Sequence, residues 1–224
     1  MTRRTNAKIA GFSFLFYILI GVTQMVLAGA LRAQGTAAKL AMIAQHAPQV
    51  RFNMLLSLLE SLSAFALAMS LYGLTREEDP DLAVTAFACR VGEGLVGAIA
   101  PIATLGLLWL AAGTGPGAPD AAAVNVLGGF LFQVRGWDTT LSATLFALGS
   151  TLFSWLLLRG RMIPTPLAWL GVIASVLLVV GLPLQLAGFL TGPVPQFMWL
   201  PMAAFEIPLG IWLLIKGVRP LAHA

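Results

Sequence analysis

The sequence predicts an all-α polytopic membrane protein, a bundle of six transmembrane helices with both termini cytoplasmic. Hydrophobic residues make up 58% of the 224 residues and charged residues only 10%, whereas soluble domains carry about a quarter charged residues. Six apolar stretches are each long enough to cross a hydrocarbon core of roughly 30 Å. We therefore expect residues 1–224 to form a single transmembrane domain.

The first predicted span is residues 9–31, which follow Arg3, Arg4 and Lys8. The basic flank and the sequence Ala28-Gly29-Ala30 also fit a signal peptide. The apolar region is, however, longer than the roughly 7 to 15 residues that signal peptides use. We interpret it as the first membrane helix, with a cleaved signal peptide as the alternative.

The next two spans are predicted to form a helical hairpin. Residues 31–50 mix charged residues with alanines and leucines, which predicts a loop with a short amphipathic helix at the membrane interface. The second span is residues 52–74, and a polar turn with a helix-stopping proline and a capping aspartate follows it. The third span, residues 82–112, corresponds to about 46 Å of helix. It must therefore tilt or kink, and Pro101 is the predicted kink because it removes the hydrogen bond to the carbonyl of Gly97.

The second half of the chain carries three more spans. Residues 113–136 predict a loop rich in Gly and Pro, within which residues 121–134 are apolar but too short to cross the membrane. We expect that piece to be re-entrant or interfacial. The fourth, fifth and sixth spans are predicted at residues 137–158, 167–190 and 197–215.

The distribution of Lys and Arg predicts the orientation. With a cytoplasmic N terminus, eight basic residues lie inside and four lie outside, which agrees with the excess of positive charge in cytoplasmic loops. Those inside are Arg3, Arg4, Lys8, Arg76, Arg159, Arg161, Lys216 and Arg219, and those outside are Arg32, Lys39, Arg51 and Arg135.

Four charged residues lie inside the predicted spans: Arg90 and Glu93 in the third, Glu60 in the second and Glu206 in the sixth. A charge at the bilayer centre costs about 2.5 to 3.5 kcal/mol on insertion scales, so these groups are expected to meet one another. We predict that Arg90 pairs with a carboxylate on another helix or with Glu93 one turn away. One arginine neutralises one charge, so at least one of the three acids is expected to be protonated near pH 7.

The predicted site therefore has two groups of residues. Glu60, Glu206 and Glu93 are the candidate catalytic proton donors and acceptors, whereas Arg90, Tyr17, Ser150 and Thr151 are candidates for binding or orienting a ligand. Helix packing is the alternative for the two hydroxyls, and a polar clamp that holds the helices in register is the alternative for the charges. Other polar residues that line a cavity or lie at the interface are Gln24, Asn53, Asp138 and Gln185.

Other chemistries lack the residues they need. Cys89 is the only cysteine, and the two histidines, His46 and His223, lie in a predicted loop and at the C terminus, so we predict no metal site and no cofactor. Residues 92–97 match the dinucleotide pattern G-x-G-x-x-G, but no strand precedes them, and close helix packing explains the glycines. No basic stripe predicts nucleic-acid binding.

Five segments suggest a family. They are Ile9-Ala10-Gly11, Leu71-Tyr72, Arg90-Val91-Gly92-Glu93, Arg161-Met162-Ile163-Pro164, and Phe205-Glu206 through Trp212 with Lys216-Gly217. Together they resemble the bacterial membrane family called domain of unknown function 4386, over nearly the whole chain. Thr165 stands where this family leads us to expect a basic residue. The resemblance implies a small multi-pass protein of the bacterial inner membrane and supplies no activity.

Three functions are open from the sequence, and whether the protein is an enzyme is open with them. The first is binding of a lipophilic or amphipathic small molecule, with proton transfer by Glu60 or Glu206 in an isomerase or cyclase step and with Arg90 and Glu93 fixing the geometry. The second is a small proton-coupled carrier, expected to be a homo-oligomer because six short spans enclose little volume. The third is a structural or sensory subunit without a substrate. Membrane lipids are expected partners in each case.

Overall fold

The computed structural model describes residues 2–29, 33–113 and 120–219, and these ranges are all-α. Residues 30 and 31 of the first predicted span, most of the predicted Gly/Pro-rich loop before residue 120, and His223 lie outside the described residues. In chain order the helices are α1 (Arg3–Gly29), α2 (Thr36–Gln45), α3 (Ala47–Thr75), α4 (Pro80–Gly97), α5 (Ile99–Ala112), α6 (Ala121–Arg159), α7 (Thr165–Leu186), α8 (Val194–Phe197) and α9 (Leu200–Ile215).

Six segments in the described ranges are long and apolar enough to cross a membrane, which confirms the predicted number of spans. They are α1, α3, α4 together with α5, α6, α7, and α8 together with α9. Each span packs against the next one in the chain, and α9 returns to pack against α1. The six spans therefore form a closed ring, and both chain ends lie at the same end of it, which we call the terminal end.

The turn between α3 and α4 forms as predicted, with Asp79 as the capping residue. Its carboxylate accepts a hydrogen bond from the backbone N–H of Leu82 at 3.1 Å, and Pro80 occupies the first helical position. This hydrogen bond, followed by one from Arg159, lowers the pKa of Asp79. Arg159 also pairs with Glu78 at 3.0 Å. The turn therefore ties the end of α6 to the hairpin of α3 and α4.

The third span is interrupted where the proline predicts it. α4 ends at Gly97 and α5 begins at Ile99, with Ala98 between them. Pro101 has no N–H to donate to the carbonyl of Gly97, which is why the α-helical hydrogen bonds stop there. The third span therefore consists of two helices, α4 and α5, and both pack against α6.

The fourth span differs from the prediction. Residues 121–134 are not a separate re-entrant or interfacial piece: they are the first part of α6, a continuous helix of 39 residues that passes through Gly136. Such a helix is about 58 Å long and exceeds the hydrocarbon core. One glycine inside a helix costs only about 1 kcal/mol, and packing against α2 and α5 offsets this cost. Gly128 contacts α2, and Gly106 of α5 contacts Leu131.

The hydrophobic residues form two clusters. The larger one fills the centre of the six-span ring toward the terminal end, and it includes Leu67, Leu157, Leu178 and Leu209. The smaller one joins α2, α5 and the start of α6 at the opposite end and comprises Leu40, Ile43, Val50, Leu107 and Leu110. The predicted amphipathic helix is therefore α2, which buries Leu40 and Ile43. We call this second assembly the cap.

Candidate functional site

A buried ion pair lies on α4. Nη1 of Arg90 is 2.9 Å from Oε2 of Glu93, and the two side chains are only 1% and 5% exposed. The guanidinium also lies over the ring of Phe146, with 4.7 Å from Cζ to the ring centroid, and 6.0 Å from that of Tyr17. The prediction that Arg90 pairs with Glu93 is confirmed. Since the two residues are three positions apart, α-helical geometry alone brings their side chains together.

Close packing of α4 on α6 holds the arginine in place. A Cβ atom on Gly149 of α6 would lie 2.8 Å from Cγ of Arg90 and 3.1 Å from the backbone oxygen of Ala86. A larger residue at this position would therefore collide with the aliphatic part of the arginine and with the backbone of α4.

Glu93 also connects the pair to α1 and α6. The hydroxyl of Tyr17 donates a hydrogen bond to its Oε1 at 3.0 Å. Ser142 donates to its backbone carbonyl at 2.9 Å. Tyr17, a predicted ligand-orienting residue, thus contacts a predicted catalytic acid directly.

Glu60 is held by a second chain of hydrogen bonds between α1 and α3. The amide of Gln24 donates to Oε2 of Glu60. The hydroxyl of Ser57 in turn donates to Oε1 of Gln24 at 2.7 Å. Gly21 faces this carboxyl, and a Cβ there would lie in ordinary contact with Oε1 of Glu60, at 3.5 Å. Gln24 therefore orients Glu60. The sequence predicted only that Gln24 lines a cavity or lies at the interface.

Glu206 lies on α9 and is buried, with 6% exposure. Among the described residues, its carboxyl forms no ion pair within 4.0 Å and no hydrogen bond. It differs in this respect from Glu60 and Glu93, whose oxygens accept hydrogen bonds from α1.

The three acids line one cavity of about 480 Å³, to which α1, α3, α4, α5, α6 and α9 contribute residues. Polar lining residues include Tyr17, Gln24, Ser57, Ser142 and Asp138, and apolar ones include Ile18, Phe146, Trp199 and Met202. Arg90 does not line this cavity and lies behind Glu93. We call this space the acidic cavity.

A second cavity of about 670 Å³ adjoins the acidic cavity below the cap. The two share Ser57, Ala100 and Arg135 as lining residues. It is lined by residues of α1, α2, α3, α5 and α6, among them Lys39 and Phe132. This second space, which we call the outer cavity, therefore lies next to the acidic cavity, on the side away from the terminal end.

Arg135 and Asp138 both line the acidic cavity, and Asp138 is buried. The sequence offered Asp138 as a residue that lines a cavity or lies at the interface, and it lines the cavity. Arg135 was predicted to lie outside the membrane because the fourth span was predicted to begin only at Trp137. The signal that identifies them is the repeated spacing, since Arg135 and Asp138 stand three residues apart on α6, as Arg90 and Glu93 do on α4.

Ser150 and Thr151 lie away from both cavities. Ser150 lies beside Arg90, on the side facing Phe153 and Leu157. The hydroxyl of Thr151 donates to the carbonyl of Ala147 in its own helix at 2.8 Å. In the described ranges, no three His, Cys, Asp or Glu side chains are placed so that they could hold a metal ion.

Comparison with known proteins gives one family. A family model described as "Domain of unknown function (DUF4386)" matches residues 9–217, a range that includes every residue of both cavities. No curated protein and no solved structure matches the chain.

Proposed function

The chain belongs to the DUF4386 family, and we propose that this member binds an amphipathic small molecule from the bilayer and exchanges a proton with it. The observation that carries the proposal is that three carboxyl groups from α3, α4 and α9 line one cavity, while the buried arginine pairs with only one of them. A purely structural clamp would leave no such space between its charged groups.

The charges divide the acids into two classes. Glu93 has Arg90 at 2.9 Å, so its charge is the one that a cation compensates. Glu60 and Glu206 have no cation within 4.0 Å among the described residues. Keeping a carboxylate ionised and dry costs several kcal/mol, so at least one of these two is protonated near neutral pH. Glu206 is the stronger candidate for the proton donor because no hydrogen bond constrains its carboxyl.

The cavity supports a ligand of small size with both polar and apolar parts. Its volume of about 480 Å³ falls in the range of about 300 to 1,000 Å³ that small-molecule sites occupy. Phe146 and Trp199 provide apolar surface in the same cavity. If Glu206 adds a proton to an unsaturated carbon and a second carboxylate removes one from a neighbouring carbon, the ligand is isomerised or cyclised with no net change in protons.

A proton-coupled carrier is the second candidate, and the outer cavity is the observation that favours it. The outer cavity adjoins the acidic cavity at one end of the bundle, and a carrier would use such a space to bring Glu60 and Glu206 into contact with water on one side. In a carrier the same acids gain and lose protons during transport.

Native mass spectrometry of the purified protein tests the binding proposal. We expect a retained small molecule, released by Glu206→Gln or Glu60→Gln and kept by Glu77→Gln, which removes an exposed acid of the α3–α4 turn. Uptake of the identified molecule into vesicles distinguishes the carrier, since only a carrier produces substrate-dependent proton flux. Wild-type protein that retains nothing, or variants that retain as much as wild type, would contradict the proposal.

Infrared spectroscopy tests the protonation separately. At pH 7 we expect a band from a protonated carboxyl that disappears in Glu206→Gln or in Glu60→Gln and persists in Glu77→Gln. If every glutamate instead titrates near the solution value of about 4.3, the cavity is filled with water and the proposed acid catalysis by Glu60 or Glu206 is wrong.

A further inference from the structure

A third space lies at the terminal end, where the first turns of α1 meet the last turn of α9. The two helices approach closely, because a Cβ on Gly11 would lie 2.6 Å from the backbone oxygen of Gly210. Beyond this contact the helix ends enclose a groove of about 440 Å³. We call it the basic groove. It does not include any residue of the two cavities described above.

The groove is positively charged. Arg3, Arg4, Lys8 and Lys216 line it, and no carboxylate from residues 2–29, 33–113 or 120–219 does. Arg3 pairs with Glu77 at 2.7 Å, whereas its Nη2 is buried without a hydrogen-bond partner. Arg4, Lys8 and Lys216 are exposed and form no ion pair in the part of the chain that the structure describes. Three charges are therefore unneutralised within one groove, so an anion is the complementary ligand.

The same groove also has an apolar side. Leu213, Leu214 and Ile215 belong to the last turn of a membrane-spanning segment, and Ile215 is 72% exposed. An anion bound by the cations would therefore have apolar surface directly beside it, at the depth where a lipid headgroup meets its acyl chains. A free phosphate or a nucleotide would leave that surface uncovered.

From this arrangement we propose that the basic groove binds the phosphate headgroup of an anionic phospholipid. Arg4, Lys8 and Lys216 contact the phosphate, Arg3 contributes its unpartnered Nη2, and the acyl chains run along Leu214 and Ile215. Basic pockets between membrane helices bind such headgroups in the same way. A lipid held there would join α1 to α9, the contact that closes the six-span ring. This inference is independent of the function proposed for the acidic cavity.

The test compares two triple variants in nanodiscs that contain cardiolipin or phosphatidylglycerol in phosphatidylcholine. Arg4→Gln/Lys8→Gln/Lys216→Gln removes the free cations of the groove. Arg76→Gln/Arg161→Gln/Arg219→Gln removes three exposed cations from the same end of the bundle but outside the groove. Native mass spectrometry counts the anionic lipids that remain bound, and size-exclusion chromatography verifies that each variant is folded.

We expect the groove variant to lose about 10- to 100-fold in affinity for anionic lipid and the second variant to resemble wild type. Equal losses in the two variants would mean that general surface charge attracts the lipid, and no loss in either would mean that the groove does not bind it. Inorganic pyrophosphate provides the other arm. If it displaces the lipid at equal concentration, the ligand is a soluble phosphate and the lipid assignment is overturned.

Discussion

Arg90 shows how much a single side chain contributes to this site. Its charge is neutralised by Glu93, its aliphatic part fills the space that Gly149 leaves, and its guanidinium covers the ring of Phe146. Its Nε, Nη1 and Nη2 have no hydrogen-bond partner among the described residues, and neither has Oε2 of Glu93, so the charge attraction at 2.9 Å and the aromatic ring carry most of its stabilisation. Removing one partner of such a buried pair leaves an uncompensated charge.

We therefore predict that Arg90→Met destabilises the protein by about 3 to 5 kcal/mol, because Glu93 loses its cation. Thermal unfolding in detergent measures the effect. The double variant Arg90→Met/Glu93→Gln removes both charges and should recover much of the loss. If the double variant is as unstable as the single one, packing rather than charge pairing explains the role of Arg90.

Like α3, helix α6 contributes to both hydrophobic clusters and lines both cavities. Its glycines have different surroundings. Gly149 faces the backbone of α4, whereas an added Cβ on Gly136 would meet nothing within 4 Å. The same substitution at the two positions should therefore have opposite effects.

Gly149→Ala is predicted to cost about 1 to 3 kcal/mol by overpacking, because the backbone of α4 must move to accept the methyl group. Gly136→Ala should leave stability unchanged or raise it by up to about 1 kcal/mol, as expected inside a continuous helix. Thermal unfolding of the two variants measures both values. A destabilising Gly136→Ala would indicate that α6 is interrupted at this position.

The N-cap of α4 at Asp79 predicts that the stability of the fold depends on pH. Since the N–H of Leu82 and Arg159 lower the pKa of Asp79 in the folded state, the carboxylate stabilises the fold above the pKa of the unfolded chain. This stabilisation is lost as the pH falls through the lower folded-state pKa. Asp79→Ala should therefore reduce the melting temperature at pH 7 and make little difference at pH 2. Asp81→Asn leaves the Asp79 N-cap in place and should therefore change the melting temperature less. An equal change in the two variants would show that the N-cap is not the cause.

For the molecule as a whole, the closed ring places the basic groove and the outer cavity at opposite ends. Eight of the basic residues outside the membrane interior lie at the terminal end or in its turns: Arg3, Arg4, Lys8, Arg76, Arg159, Arg161, Lys216 and Arg219. The outer cavity then faces away from the cytoplasm if the positive end lies inside.

Both termini are accordingly predicted to be cytoplasmic. A fluorescent protein fused after Ala224 should fluoresce, and alkaline phosphatase fused there should be inactive. A cysteine introduced at Lys39 should react with a membrane-impermeant reagent added from outside. An active phosphatase at Ala224, or a first span missing from the mature protein, would contradict this topology.

The length of the apolar stretches and the small number of charged residues within them were sufficient to predict the architecture. Six hydrophobic stretches can satisfy their backbone groups in a bilayer only as helices, so the number and approximate bounds of the spans follow from composition along the chain. Helical spacing likewise brings Arg90 against Glu93 without reference to any other segment. The interruption near Pro101 and the N-cap at Asp79 are also predictable from the local sequence, because each depends on residues within one turn.

Contacts between distant segments decided the rest. The helix α6 continues through Gly136 because it packs against α2 and α5. The local sequence, a glycine after a short apolar stretch, does not show this packing. That continuity places Arg135, which was predicted to lie in a loop, in the wall of both cavities. The pairing of Tyr17 with Glu93 and of Gln24 with Glu60 joins residues 76 and 36 positions apart, and the side that a helix turns toward its neighbours is set by all six spans at once. Tertiary packing therefore determined which polar groups share a cavity, because the free energy of burying each group depends on partners from other helices.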